Sequence, residues 1–249
     1  AGVGVASGVA KSYFGSYGMA LTATLLGSGA VCMPSAAYLT HTHGACADFP
    51  SIRKILVNWL VEVIEDDGMK SETLFLAVNY LDRYLSKRPV PQDELQLVAI
   101  TAILVASKHE ELAPQSVQNL QNLVKSASHA DVLNMEAQLL HTLDYSLTSF
   151  TPLRVLEILR VATLTEEEAL RPSAAGTFPT KAWALAEYLV ELSLAQFEEV
   201  VIRPAVTAAA AALLALRTIQ IEEGREDEQR QETLLVTRIA RLLTTRPPP

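Results

Sequence analysis

The sequence predicts an all-α protein built from two consecutive helical bundles. From Ser51 onward Leu, Ala and Glu dominate, and no long stretch shows the apolar alternation of a half-buried strand. The helical patterns form two series, which are separated by the break TSFTP at Thr148–Pro152. Each series contains one helix that is apolar on all sides, and such a helix must be surrounded by others. We therefore favour two domains, with one continuous bundle as the alternative.

The two central helices are recognised by their small, uncharged side chains. The first is LQLVAITAILVAS at Leu95–Ser107, and the second is AVTAAAAALLAL at Ala205–Leu216, after a proline suited to a first helical turn. Alanine on several faces lets neighbouring helices approach closely. Around these two segments the periodicity predicts further helices, and the full set is 52–66, 70–86, 91–110, 115–126, 129–143, 152–163, 179–198, 203–220 and 227–244.

Residues 1–50 differ from the rest of the chain. They are rich in Gly, Ala, Ser and Thr, carry almost no charge and show no helical period, which predicts a disordered or poorly packed segment. The chain begins with Ala1 rather than Met, so we expect a fragment. The predicted organisation is a poorly packed segment at 1–50, a first helical domain at 51–147, a second at 148–246 and a tail at 247–249.

Composition argues against several classes of function. The net charge is −8, and no stripe of Lys and Arg is present to neutralise phosphates, so we expect no nucleic-acid partner. The longest apolar run, Ala205–Leu216, is too short to span a bilayer, so no membrane partner is expected. There is no glycine-rich phosphate loop, nucleophile elbow or recognisable pair of catalytic carboxylates, so we expect neither an enzyme nor a cofactor.

The two cysteines imply no disulfide framework and favour a reducing intracellular compartment. They could be grouped with two histidines as a metal site, but the spacing fits no standard zinc pattern, and we expect no metal there; the four residues are Cys32, His41, His43 and Cys46.

The first predicted helix has more apolar surface than one core requires. Its stripe continues around most of the helix, and only Lys54, Asn58 and Glu62 form a narrow polar arc. Either both sides of this helix are buried, or part of the apolar face is an exposed docking site. The residues of the stripe are Ile52, Ile55, Leu56, Trp59 and Val63.

One charged residue, Arg53, falls inside that apolar arc. A buried guanidinium needs a carboxylate partner, and Asp82, within the otherwise apolar LDRYL segment, is the natural candidate. The alternative is that Arg53 extends to solvent from the start of the helix.

Several segments, in order, resemble the helices of the cyclin box of A- and B-type cyclins. They are RKILVNWLVEV, LAVNYLDRYLS, LQLVAITAILVASKHEE and VLNMEAQLLHTLDYSL. The resemblance continues into a second cyclin fold through LAEYLVELSLAQFEEVV and the alanine-rich helix after it, and it covers Ser51 to about Thr244. It implies two cyclin folds, each of about five helices around a central helix.

The resemblance also implies a function. A protein of this family is a non-catalytic regulatory subunit that binds and activates a cyclin-dependent Ser/Thr kinase in cell-cycle control, in the nucleus and the cytoplasm. The alternative is an adaptor of the same fold that binds peptides or transcription components without activating a kinase.

Five positions that are near-diagnostic of the family are occupied here by Arg53, Asp82, Leu97, Lys108 and Glu136. The resemblance implies that Arg53 and Asp82 form a buried ion pair. It implies that Leu97, Lys108 and Glu136 belong to the kinase interface, where the Lys and the Glu would bind backbone groups of the kinase.

The family also carries a substrate-docking patch, which accepts substrates or inhibitors with a basic-x-Leu motif. The corresponding residues here are Ile52, Ile55, Leu56, Trp59, Glu62 and Gln96. Two positions depart from the family pattern, since Ile52 replaces Met and Asn58 replaces Asp. The second change removes a negative charge beside the patch and predicts weaker binding of basic motifs.

Overall fold

A computed structural model of the chain describes residues 32–35, 38, 48–124, 127–163, 178–196 and 198–222. These residues form eight α-helices and no strand, so the all-α prediction is confirmed for this part of the chain. The helices are α1 Phe49–Asp66, α2 Ser71–Lys87, α3 Leu95–Glu110, α4 Val117–Gln121, α5 His129–Thr142, α6 Pro152–Thr163, α7 Phe178–Leu194 and α8 Pro204–Glu222, with short 3₁₀ segments at Gln92–Glu94 and Glu198–Val201.

The described residues divide into two compact units. The first unit comprises 32–153 together with 190–203, and the second comprises 154–189 together with 204–222. The sequence suggested one boundary at 147/148. It did not predict that the end of α7 and the residues after it would belong with the first unit.

Helix α3 is the centre of the first unit. Every residue from Val98 to Ser107 is buried, and α3 contacts α1, α2, α4 and α5. Its two buried hydroxyls are satisfied within the helix, since Thr101 donates to the carbonyl of Leu97 at 2.7 Å and Ser107 to that of Leu104 at 3.0 Å. The prediction of a helix surrounded by others is thus confirmed for α3.

Two helices begin at well-formed caps. Ser128 and Asp131 form a capping box at the start of α5, and the hydrogen bonds from Ser128 lower the pKa of the Asp131 carboxyl. Ser116 accepts from the backbone N–H of Asn119 at the start of α4. That helix is only five residues long, whereas the sequence predicted 115–126. Asn119 within it and Asn122 directly after it have side chains that compete with the backbone for hydrogen bonds, which disfavours a longer helix.

The second unit contains α8, whose buried residues are mostly alanines. The buried alanines are Ala205, Ala208, Ala209, Ala211, Ala212 and Ala215. Ala182 of α7 and Ile219 of α8 form a small cluster with Leu185 and Leu216 around them. By length and composition α8 is apolar enough to cross a membrane, which the sequence-based estimate of a 12-residue run missed. The core helix of a bundle meets the same two criteria.

The predicted helix at 227–244 lies outside the described residues, as does most of the segment 1–50. Three described residues of that segment are buried, however, because Cys32 is 7 %, Tyr38 0 % and Phe49 4 % exposed. The prediction that this segment packs poorly is therefore wrong at these three positions. Phe49 begins α1, and the side chains of Cys32 and Tyr38 are held by hydrogen bonds to Thr148 and Asp82, which leave no periodic trace in a sequence.

Candidate functional site

A buried ion pair joins α1 to α2. Arg53 donates from Nε to Oδ1 of Asp82 at 2.8 Å and from Nη2 to Oδ2 at 2.7 Å, which is a bidentate arrangement. The two residues are 2 % and 4 % exposed, so Arg53 does not extend to solvent. Its remaining nitrogen, Nη1, donates to the backbone carbonyl of Leu194 at 2.9 Å. That carbonyl is one of the groups that the end of α7 leaves without a partner inside the helix, and a cation is favourable there.

Tyr38 completes this cluster, and the sequence did not identify it. Its hydroxyl donates to Asp82 Oδ1 at 3.2 Å, and its ring meets Phe49 edge to face with the ring centroids 5.7 Å apart. Burial, followed by the nearby charge of Asp82, raises the pKa of the Tyr38 hydroxyl far above its usual value. The segment 1–50 also contains Tyr13, Phe14 and Tyr17, so its aromatic character alone did not single out Tyr38.

All six residues of the predicted docking patch line one groove between α1 and the start of α3. The cavity has a volume of about 490 Å³, and Asn58, Gln92 and Leu95 complete its lining. We call it the α1–α3 groove. Ile55 is 70 % exposed, and it shares the groove with the apolar side chains of Ile52 and Trp59.

Helix α1 is neither buried on both sides nor simply exposed on its apolar face, because Leu56 contacts both the groove and the core. Leu56 lines the groove but is only 7 % exposed and belongs to the core cluster. Leu56, which the resemblance assigned to the docking patch, therefore also belongs to the core. Helix α1 is buried on one side through residues such as Leu60 and open on the other at Ile55.

The chemistry of the groove suits a short peptide with an apolar and a basic residue. Its apolar lining can take a Leu-sized side chain, and Glu62 is the one charged residue among those that line it. Asn58, Gln92 and Gln96 offer amide groups that can pair with a peptide backbone. Among lining residues, then, the charge that would recognise a basic residue comes from Glu62 alone.

A second candidate site lies where the end of α3 meets α5. Lys108 Nζ and Glu136 Oε1 are 2.6 Å apart, and the side chains are 44 % and 15 % exposed. Lys has three donors and a carboxylate several acceptor positions, so each can bind a partner's backbone while the pair persists or after it opens. The structure brings together the two residues that the resemblance placed at a kinase interface.

Two exposed leucines lie close to this pair along the chain. Leu133, one turn before Glu136 on α5, is 44 % exposed, and Leu112, four residues beyond Lys108, is fully exposed at 100 %. An exposed apolar patch beside a polar pair is typical of a protein-binding surface. Leu97 lies apart from this pair. It is partly buried, packs against the core and lies 11 residues, or about 16 Å, before Lys108 along α3, and its place in the kinase interface stays a prediction.

The described residues contain no group of three or more His, Cys, Asp and Glu side chains placed to hold a metal ion. Of the Cys and His set that the sequence analysis rejected, only Cys32 lies in the described part, and its thiol donates to the Thr148 carbonyl at 3.2 Å.

Two family models and several curated proteins are similar to this chain. A family model described as "Cyclin, N-terminal domain" matches residues 24–148, and one described as "Cyclin, C-terminal domain" matches residues 170–237. Similar curated proteins include a G2/mitotic-specific cyclin-B of Dictyostelium discoideum, 38% identical over 167 residues, which are 67% of this chain and 35% of that protein. A G2/mitotic-specific cyclin-B of Patella vulgata is 35% identical over 184 residues, which are 74% of this chain and 40% of that protein.

A plant relative is equally similar. Cyclin-A1-2 of Oryza sativa subsp. japonica is 36% identical over 173 residues, or 69% of this chain and 34% of that protein. The chain thus spans between 34% and 40% of the length of these three relatives.

Two solved structures share the fold at low identity. A viral cyclin from herpesvirus saimiri matches with a TM-score of 0.57 and 17% identity, over 78% of this chain and 83% of that one. A chain of the CAK complex from Chaetomium thermophilum bound to ATP-γ-S matches with a TM-score of 0.54 and 14% identity, over 92% of this chain and 74% of that one.

Proposed function

This chain belongs to the cyclin family, and on that premise we propose that it is a non-catalytic regulatory subunit that binds and activates a cyclin-dependent Ser/Thr protein kinase in cell-cycle control. Its relatives include mitotic cyclins of the B type and cyclins of the A type. The observation that carries the proposal is the partly exposed Lys108–Glu136 pair, with the exposed Leu133 one turn before Glu136 and the exposed Leu112 four residues after Lys108.

The proposed mechanism is allosteric. The donors of Lys108 and the acceptors of Glu136 would bind backbone groups beside the regulatory helix of the kinase, and the exposed leucines would bury apolar area against it. A kinase that exchanges between inactive and active arrangements is then shifted towards the active one, because only that arrangement makes these contacts.

The test is a kinase assay with the recombinant chain and a cell-cycle kinase. We expect activation by the wild-type chain and its loss in Lys108→Ala with Glu136→Ala. The matched control is Arg160→Ala with Glu187→Ala, which removes an exposed ion pair of the second unit, with Nη1 and Oε1 3.5 Å apart. The interface assignment fails if both double variants activate the kinase equally. Failure of the wild-type chain to activate any cell-cycle kinase, with peptide binding intact, would instead favour an adaptor.

We propose that the α1–α3 groove recruits substrates or inhibitors that carry a basic-x-Leu motif. The apolar lining would hold the Leu, and Glu62 would pair with the basic residue. Titration of a labelled peptide tests this, since Glu62→Lys should weaken binding and Asn58→Asp, which adds a second negative charge to the lining, should strengthen it. Equal affinities of both variants and the wild type would exclude an electrostatic role for the groove.

The proposed location of the protein is the nucleus and the cytoplasm, where such kinases meet their substrates. A fluorescent fusion followed through the cell cycle tests it, and accumulation at any other compartment would contradict it.

A further inference from the structure

The chain that leaves α5 returns along α2 and is held to one edge of that helix by polar side chains. Lys87 donates to the carbonyl of Thr142 at 2.7 Å, Arg83 to that of Ser146 at 2.9 Å and Tyr80 to that of Leu147 at 2.7 Å. Thr151 then donates to Glu72 at 2.8 Å. We call residues 142–151 the exit segment. As the exit segment runs from Thr142 to Thr151, its partners run backwards along α2, from Lys87 to Glu72.

These contacts form one continuous track rather than scattered bonds. At 100° per residue, Glu72, Tyr80, Arg83 and Lys87 fall within an arc of about 80° on α2. Their partners are mostly backbone carbonyls, so the track fixes the path of the exit segment whatever its side chains are.

The track begins at a turn that costs free energy. Helix α5 ends in a Schellman motif, in which the N–H of Asp144 donates to the His141 carbonyl at 3.1 Å and that of Tyr145 to the Leu140 carbonyl at 3.0 Å. Asp144 and Tyr145 have φ of 53° and 55°, a left-handed conformation that favours glycine. Two consecutive residues with side chains persist there only if their surroundings hold them.

Two basic side chains of the track reach this turn: the exposed Lys87, whose Nζ lies 3.3 Å from Asp144 Oδ2, and the buried Arg83. Arg83 is 6 % exposed, and in the described part of the chain its bonds go to the Ser146 carbonyl and, at 3.5 Å, to the amide oxygen of Asn79 rather than to a carboxylate. Burial lowers the pKa of this guanidinium. A buried cation of this kind requires its acceptors, so Arg83 and the exit segment hold each other in place.

We propose that Arg83 is a positioning residue that clamps the exit segment to α2 and thereby keeps the left-handed turn closed at the end of the helix that carries Glu136. The clamp follows from the contacts alone. Its consequence for kinase affinity rests on the proposed function, because the turn ends the helix that presents one half of the Lys108–Glu136 pair.

Amide hydrogen exchange tests the clamp without a partner. The Tyr145 and Ser146 amides donate to the carbonyls of Leu140 and Leu143. We expect their exchange to become faster on the order of tenfold in Arg83→Met and by less in Tyr80→Phe, which removes one bond of the track and no charge. Arg88→Met, an exposed basic residue five positions further along the chain, is the matched control and should leave both amides unchanged.

A glycine substitution in the turn gives a second test of the clamp. If Arg83 acts by holding a strained turn, Asp144→Gly in the Arg83→Met background should restore slow exchange at Tyr145, because glycine adopts the left-handed conformation without strain. The affinity for the kinase should fall in Arg83→Met and recover in the double variant.

The results distinguish the clamp on the turn from its effect on kinase affinity. Unchanged exchange in Arg83→Met, or faster exchange that Asp144→Gly does not slow, overturns the clamp. Faster exchange with unchanged kinase affinity overturns the positioning role. If the wild-type chain binds no kinase, the proposed function has failed, while the exchange rates still decide whether Arg83 holds the turn.

Discussion

Replacement of Asp82 by alanine is the sharpest test of how the first unit is held together. The carboxylate accepts two bonds from Arg53, at 2.8 and 2.7 Å, and one from the Tyr38 hydroxyl, at 3.2 Å. In Asp82→Ala the guanidinium keeps its bond to the Leu194 carbonyl but loses its counter-charge. Arg53 is 2 % exposed, so water cannot replace the carboxylate without a rearrangement of α1 or α2.

The size of the effect follows from that burial. Removal of one partner of a buried ion pair costs roughly 3–5 kcal/mol, because the other charge remains without compensation. For a chain of this length one kcal/mol moves Tm by about 2–4 °C, so we expect a fall on the order of 10 °C in Asp82→Ala. A loss of roughly 3–5 kcal/mol is a large part of the total stability of a typical domain, which is about 5–15 kcal/mol.

Thermal and urea unfolding followed by circular dichroism give the measurement. Two further variants separate the lost charge pair from general disruption. Glu65→Ala removes an exposed carboxylate from α1 and should change the free energy of unfolding by less than about 0.5 kcal/mol. Arg53→Met with Asp82→Leu removes both charges and should cost less than Asp82→Ala, because no buried charge is stranded.

Two results would refute this reasoning. If Asp82→Ala unfolds like Glu65→Ala, Arg53 finds a partner that the structure does not show. If the double replacement is as damaging as Asp82→Ala alone, the shape of the site matters and the stranded charge does not.

Three other predictions concern single features of the first unit. Lys108→Ala with Glu136→Ala should leave Tm nearly unchanged, because ion pairs with an exposed partner contribute at most about 1 kcal/mol, and a large fall in Tm would show a structural pair instead. Ile55→Ala should weaken binding of a basic-x-Leu peptide at little cost in stability, whereas Leu56→Ala should also cost roughly 2–5 kcal/mol, and equal stabilities would show that Leu56 is not core. The free energy of unfolding should fall above about pH 10, because Tyr38 ionises there in the unfolded chain but keeps its proton when buried, and a pH titration of Tyr38→Phe should show a shallower fall.

Features that depend on periodicity along one helix could be predicted from the sequence. The all-α class, the central position of α3 and the apolar excess on α1 are properties of local patterns, because side chains three and four residues apart share a face whatever the rest of the chain does. The partner of Arg53 was also within reach. A charge inside an apolar arc requires an opposite charge in another apolar segment, and Asp82 met that requirement.

The sequence patterns left undecided which side of an apolar residue another element covers. Leu56 and Leu97 are apolar residues on helices with wide apolar surfaces, so their patterns cannot separate groove or interface from core. Only the packing of the neighbouring helices buries Leu56 to 7 % exposure and places Leu97 against the core.

Only the tertiary structure could reveal the contacts that close the first unit. Arg53 binds the carbonyl of Leu194, 141 residues away along the chain, and Arg83 binds that of Ser146, 63 residues away. Every residue carries a carbonyl, so an acceptor of this kind has no signature in the sequence. Tyr38 is buried by the same long-range arrangement, in a segment without periodicity. Local patterns determine which faces of the helices are apolar, but the path of the chain decides which backbone groups reach the buried charges.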